Sequence, residues 1–117
     1  MKDNFKIILD IKRTIIYLDK IVVNFPNTDR VLKDNIMKSI YSILEYCYMA
    51  NEVSDYNRII YQKKIITNIK MIDFYFKMAL DKKYISYKKY CKISNVLLSN
   101  LKLIYGWVKH EKSRQFI

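Results

Sequence analysis

The sequence has almost no glycine or proline: each occurs once, as Gly106 and Pro26, in 117 residues. Sandwiches and barrels of β-strands need many tight turns, and tight turns use glycine, proline and Asn-Gly pairs. The chain therefore has few turns and long elements between them, which favours helices. A chain of this length is expected to form one domain, here residues 1–117.

Long hydrophobic runs are also missing. The longest aliphatic runs have three residues, as at Ile7-Ile8-Leu9, whereas a membrane-spanning helix needs about 20. Asp3 and Asp10 interrupt the N-terminal region, so we expect no secretory signal. These features predict a cytoplasmic protein with no membrane partner.

Residues that carry enzymatic or metal chemistry are scarce. The two cysteines, Cys47 and Cys91, lack metal-type spacing and are expected to be reduced and buried. His110 is the single histidine, and we expect it to face solvent in a basic C-terminal tail. Glu45 and Glu52 have no facing ligands, and neither a nucleophile motif nor a phosphate-binding glycine loop occurs. We therefore expect no catalytic residue, no metal site, no cofactor and no enzyme activity.

Four segments carry aliphatic residues at alternating steps of three and four positions, the spacing of one face of an α-helix. The segments span about 4–24, 29–53, 56–83 and 86–110, and a tail follows at 111–117. Short connections favour antiparallel neighbours. We predict an all-α fold, an up-down-up-down antiparallel four-helix bundle.

Basic residues are concentrated in the second half of the chain. Residues 1–55 contain eight Lys/Arg and eight Asp/Glu, so they sum to zero. Residues 56–117 contain fourteen Lys/Arg and three acids, Asp73, Asp81 and Glu111, so they carry the whole net charge of +11. Crowded like charges destabilise a fold, which indicates a polyanionic partner, RNA or DNA.

Several of these lysines recur at seven-residue spacing, in rows along the third and fourth predicted helices. Ammonium groups in rows contact successive phosphates without reading the bases. The alternative interpretation is an ordinary solvated helix face. The predicted nucleic-acid-binding residues are Lys63, Lys64, Lys70, Lys77, Lys88, Lys89, Lys92, Lys102 and Lys109.

Aromatic residues lie among the lysines. Tyr84, Tyr87 and Tyr90 are candidates for stacking on unpaired bases, and the alternative is packing between helices. Trp107 is expected to be a packing anchor. Asp73 lies three residues after one lysine and four before another, so we expect local ion pairs there.

Several short motifs occur in a characteristic order. They are Phe25-Pro26, Asp29-Arg30-Val31-Leu32, Ile43-Leu44-Glu45 with Ala50-Asn51, Ile85-Ser86-Tyr87-Lys88-Lys89-Tyr90, and Tyr105-Gly106-Trp107-Val108-Lys109. Over about residues 10–110, this order resembles the accessory variability determinant proteins of diversity-generating retroelements. It is also similar to the four-helix proteins encoded in ribosomal-RNA intervening sequences.

The resemblance implies a non-enzymatic partner of a reverse transcriptase, which forms a homopentamer, binds nucleic acid and supports mutagenic cDNA synthesis. Apolar residues outside the predicted core favour self-association. These are Ile16, Ile21, Val23, Ile59, Ile60, Ile66, Leu98 and Leu103. Two alternatives stay open: an interaction protein of the intervening-sequence type whose basic face docks an acidic protein, and a peripheral binder of anionic membranes.

Overall fold

A computed structural model describes the backbone of residues 2–115 and the side chains of residues 5–54 and 56–110. The helices are α1 (Lys2–Val22), α2 (Arg30–Glu52), α3 (Asp55–Asp81) and α4 (Tyr87–Gln115). No strand occurs within the described backbone. Helices α1 and α3 each contact α2 and α4, so the four helices form a square when the bundle is viewed along its axis. The predicted antiparallel four-helix bundle is confirmed.

The core follows the predicted periodicity most closely in α2. All six α2 residues at the predicted helical spacing are buried: Leu32, Ile36, Ile40, Ile43, Cys47 and Ala50. In the other three helices most residues at this spacing are buried. Five of them are half-buried: Ile15, Leu80, Tyr90, Leu101 and Val108. Phe76 and Trp107 fill the opposite ends of the core, and Trp107 is the expected packing anchor, 6% exposed.

Side-chain N-caps fix the starts of α2 and α4. Asp29 Oδ1 accepts a hydrogen bond from the Leu32 N–H at 3.3 Å, and Ser86 Oγ accepts one from the Lys89 N–H at 3.1 Å. Ser54 stands at the start of α3 without a side-chain cap bond. The α2–α3 turn is closed by Arg58, whose guanidinium donates to the carbonyls of Ala50 at 2.7 Å and Val53 at 3.0 Å.

The predicted C-terminal tail is wrong for residues 111–115, because α4 continues to Gln115. That segment holds no glycine or proline, and most of its residues are good helix formers. The helix therefore has no sequence signal to stop at residue 110. Residues 116–117 lie outside the described residues.

One end of the bundle is held by contacts between the two loops that meet there. The Phe25 ring packs on Phe76 and Tyr84, with centroid distances of 6.2 and 5.4 Å. Lys83, the second residue after α3, adopts the left-handed region at φ 65°. The Lys83 N–H donates to the Leu80 carbonyl, and the Tyr84 N–H donates to the Ala79 carbonyl, both at 2.9 Å. This is the Schellman arrangement, in which glycine is the favoured residue at the position of Lys83.

Two buried amide side chains differ in how their polar atoms are satisfied. Asn100 of α4 donates to Asp10 Oδ2 at 2.6 Å, and its Oδ1 accepts from Thr14 Oγ1 at 3.1 Å, which ties α4 to α1. Gln62 of α3 is fully buried, and neither its Nε2 nor its Oε1 has a hydrogen-bond partner. Gln62 therefore carries a desolvation penalty that Asn100 avoids.

Candidate nucleic-acid interface

A row of three lysines runs along α3. Lys63, Lys70 and Lys77 are exposed and follow one another at seven-residue steps, so they lie on one side of the helix. Lys70 lines a groove between α3 and α4, which shows that this side faces α4. Lys77 Nζ forms an exposed ion pair with Asp81 Oδ1 at 3.2 Å, a contact that contributes little to stability.

Two further lysines stand on α4 beside the same groove. Lys102 and Lys109 are exposed and seven residues apart. Lys102 follows the groove residue Leu98 by four positions, which places it on the same side of α4. We call these five residues the groove lysines: Lys63, Lys70, Lys77, Lys102 and Lys109.

The structure separates two of the other predicted lysines, Lys89 and Lys64, from this set. Lys89 is half-buried with its Nζ 5.7 Å from the ring centroid of Tyr17, which points toward α1. Lys88 and Lys92 are exposed. Lys88 lies seven residues before the groove residue Asn95 and fourteen before Lys102, so it continues the α4 row toward the start of the helix. Lys64 lies on the α2 side, with its Nζ 5.6 Å from the Tyr46 ring and 5.9 Å from the Tyr61 ring. Lys64 and Lys89 therefore point away from the α3–α4 face, whereas Lys88 extends its α4 row.

The groove between α3 and α4 has a volume of about 330 Å³. Its walls are largely aliphatic, and four of its residues are Ile69, Leu97, Leu98 and Leu101. Asp73 of α3 lies in the groove together with Lys70 of α3 and with Ser94 and Asn95 of α4.

Asp73 does not make the local ion pairs expected from the sequence. Its Oδ1 accepts from Ser94 Oγ at 2.7 Å and its Oδ2 from Tyr90 Oη at 3.4 Å. Lys77 pairs with Asp81 instead. Asp73 lies on the side of α3 that faces α4. The hydroxyl groups of Ser94 and Tyr90 are its hydrogen-bond donors there, in place of the lysine ammonium groups expected from the sequence.

The three candidate tyrosines have different environments. Tyr84 is half-buried, and its hydroxyl donates to Asp29 Oδ2 at 2.7 Å. Tyr90 is half-buried beside Asp73. Only Tyr87 of the three presents most of its ring to solvent, at 70% exposure. The packing alternative therefore holds for Tyr84 and Tyr90, and Tyr87 keeps the surface needed to stack on a base.

Shifted pKa values mark contacts that lie outside the groove. The hydrogen bonds from Lys82 and Tyr84 lower the pKa of Asp29, and the same contacts with Asp29 raise the pKa values of Lys82 and Tyr84. A hydrogen bond with Cys91 raises the pKa of Tyr87.

Burial raises the pKa of the Cys47 thiol to about 12, so this thiol stays protonated at neutral pH. The expected burial holds for Cys47, whereas Cys91 is only half-buried. Within the described side chains, no group of three or more His, Cys, Asp or Glu residues is placed to hold a metal ion. His110 is exposed, as expected.

The groove residues Ser94, Asn95, Leu98 and Leu101 were not predicted as a site. Their sequence pattern does not single them out, because polar residues next to the buried face of a helix are also common on ordinary protein surfaces. The pairing of a half-buried acid on α3 with two hydroxyl donors on α4 becomes visible only when the helices are placed side by side.

No protein-family model matches the sequence, and no curated protein matches it. A solved structure with a similar fold is the crystal structure, at 1.70 Å resolution, of a protein of unknown function from the S23 ribosomal protein family of Bacteroides thetaiotaomicron. The TM-score is 0.82 at 19% sequence identity, and the match covers 93% of this chain and 99% of that chain. An identity this low establishes a shared fold alone. None of the described helices has the length and hydropathy required to cross a membrane.

Proposed function

We propose that the protein is a non-enzymatic accessory protein of a diversity-generating retroelement. It binds single-stranded nucleic acid through the groove lysines and associates with the reverse transcriptase during mutagenic cDNA synthesis. The order of sequence motifs supports the retroelement role. The double row of exposed lysines along α3 and α4 is the observation that supports nucleic-acid binding. Among these lysines, Lys77 forms an exposed ion pair with Asp81.

The charge distribution of the folded chain supports a phosphate partner. Each groove lysine is exposed, so its ammonium group can replace a condensed counterion on the nucleic acid. Successive lysines in a row stand two helical turns apart, about 10.5 Å. A flexible single strand can bring its phosphates to sites at that spacing, and such contacts carry no base identity.

Self-association is part of the proposal, and an apolar stripe on α1 supports it. Leu9 and Ile16 of α1 and Val23, the first residue after α1, follow one another at seven-residue steps. They are 37%, 59% and 62% exposed. On the adjacent α2, Tyr41 and Tyr48 are exposed, and Lys12 of α1 lies 5.7 Å from the Tyr48 ring. An aliphatic stripe continued by aromatic residues is typical of an interface between subunits. We propose that this surface joins copies of the chain into a homopentamer.

The remaining apolar residues expected to favour association have mixed environments. Ile60 and Leu98 are 46% and 47% exposed, and Ile21 is buried at 7%. Ile59, Ile66 and Leu103 are half-buried. Ile21 therefore belongs to the core of the single subunit.

Binding to a single-stranded RNA of about 15 nucleotides tests the function. The variant K63E/K70E/K77E is expected to lose retention in a gel-shift assay while keeping its helical circular dichroism. The matched control is R13E/K20E/K38E, which changes the charge equally at exposed positions of the neutral half. The control should keep most of its affinity.

Salt dependence provides the second readout. Five phosphate contacts predict a slope of about −3.5 for log Kobs against log salt, since single strands give roughly −0.7 per contact. If wild-type protein does not bind RNA, or if both triple variants lose binding equally, the proposal is wrong. An acidic protein partner would then account better for the basic surface.

A further inference from the structure

The α3–α4 groove joins an aliphatic wall to an oriented carboxylate. Leu97, Leu98 and Leu101 line it from α4 and Ile69 from α3. Asp73 is held in it by the hydroxyls of Ser94 and Tyr90. A volume of about 330 Å³ lies at the small end of ligand-binding pockets. The groove is thus suited to a small planar group that has apolar faces and N–H donors at one edge.

We propose that this groove binds one unpaired guanine base of the nucleic acid whose phosphates contact the groove lysines. The inference rests on the proposed function, because the phosphate contacts bring the strand to the groove. It adds a base preference, which the lysines alone cannot provide.

The Asp73 carboxylate selects among the bases by its hydrogen bonding. An ionised carboxylate only accepts, and its two oxygens offer about four lone-pair sites. Ser94 and Tyr90 occupy one site on each oxygen, which orients the group and leaves sites free for a ligand. Guanine presents two neighbouring donors, N1–H and the N2 amine, and so matches the paired oxygens. Uracil flanks its one N–H with two carbonyls, and adenine and cytosine place an acceptor beside their amine.

The neighbouring side chains suit the rest of the nucleotide. Aliphatic side chains such as Leu98, which is 47% exposed, can cover the faces of the base. Lys70 lies in the groove three residues before Asp73, less than one helical turn away. Its ammonium group is therefore close enough to pair with a phosphate adjoining the bound guanosine.

Short oligouridines of about 11 nucleotides test the inference by fluorescence anisotropy. One carries a single central guanosine, a second a central inosine, which lacks the N2 amine, and a third a central adenosine. Wild-type protein should bind the guanosine oligomer at least about fivefold more tightly than the adenosine one, with inosine between them.

Asp73→Asn removes one acceptor oxygen while keeping the shape of the side chain, so the guanosine preference should disappear and the affinity for plain oligouridine should persist. The control Asp81→Asn neutralises another carboxylate of α3, which lies outside the groove, and should keep the preference. Equal affinity of wild-type protein for all oligomers, or a preference that survives Asp73→Asn, overturns the guanine site and leaves phosphate binding standing. Failure to bind any oligomer overturns both proposals.

Discussion

The hydroxyl of Tyr84 donates a hydrogen bond of 2.7 Å to Asp29 Oδ2, across 55 residues of sequence. Lys82 Nζ donates to the same oxygen at 2.8 Å. Asp29 also caps α2 through its other oxygen. One carboxylate therefore joins the start of α2 to the loop between α3 and α4, and this set of contacts depends on pH.

The charge of Asp29 should set part of the acid stability. Because its pKa is lowered in the folded state, its contribution is present above about pH 4 and is lost as pH falls through the folded pKa. Asp29→Asn retains a good N-cap residue but removes the charge. The variant should melt at a lower temperature than wild-type protein at pH 7, and the difference should shrink at pH 3.

Thermal melting followed by circular dichroism at both pH values measures this effect. Asp34→Asn, an exposed acid of the same helix, is the control and should melt like wild-type protein at either pH. A melting difference for Asp29→Asn that stays constant between pH 7 and pH 3 contradicts the assigned contacts.

Lys82 and Tyr84 contribute at the alkaline end of the pH range. Because the folded state raises their pKa values, the stability that they provide is lost as the pH rises through those values.

Glycine at position 83 should stabilise the protein. Lys83 adopts φ 65°, and a side chain in the left-handed region costs about 1 kcal/mol. Lys83→Gly should recover about that amount in urea unfolding, while Lys83→Ala keeps the Cβ and should give no gain. A stabilising alanine would show that the lysine charge, rather than the backbone conformation, is the source of the cost.

The sequence predicts the fold well because helix periodicity and capping are local. The six core positions of α2 and the caps at Asp29 and Ser86 follow from spacing and residue type alone. The candidate site is predicted only in part. Spacing places Lys63, Lys70 and Lys77 in one row, but it cannot show that Lys64 turns toward α2 while Asp73 turns toward α4. Those outcomes depend on which helices are neighbours.

Gln62 and Asn100 provide a comparison of two buried amides. Gln62→Met removes unpaired polar atoms with little change of shape, and should raise the free energy of unfolding by about 1–3 kcal/mol. Asn100→Leu should lower it by a similar amount, because Asp10 and Thr14 lose their buried partner. Urea unfolding monitored by circular dichroism measures both, and a destabilised Gln62→Met protein would mean that the amide is satisfied in solution.

The apolar stripe on α1 should determine the oligomeric state. Replacing Ile16 and Val23 by lysine puts two charges into the proposed subunit interface, where desolvating them opposes association. Light scattering at micromolar concentration should give an oligomer for wild-type protein and a monomer for the double variant. Val31→Lys is the control: Val31 is 73% exposed at the start of α2 and outside the stripe, so this variant should remain assembled. A monomeric wild-type protein would contradict the pentamer, and an unchanged mass of the double variant would place the interface on another face of the bundle.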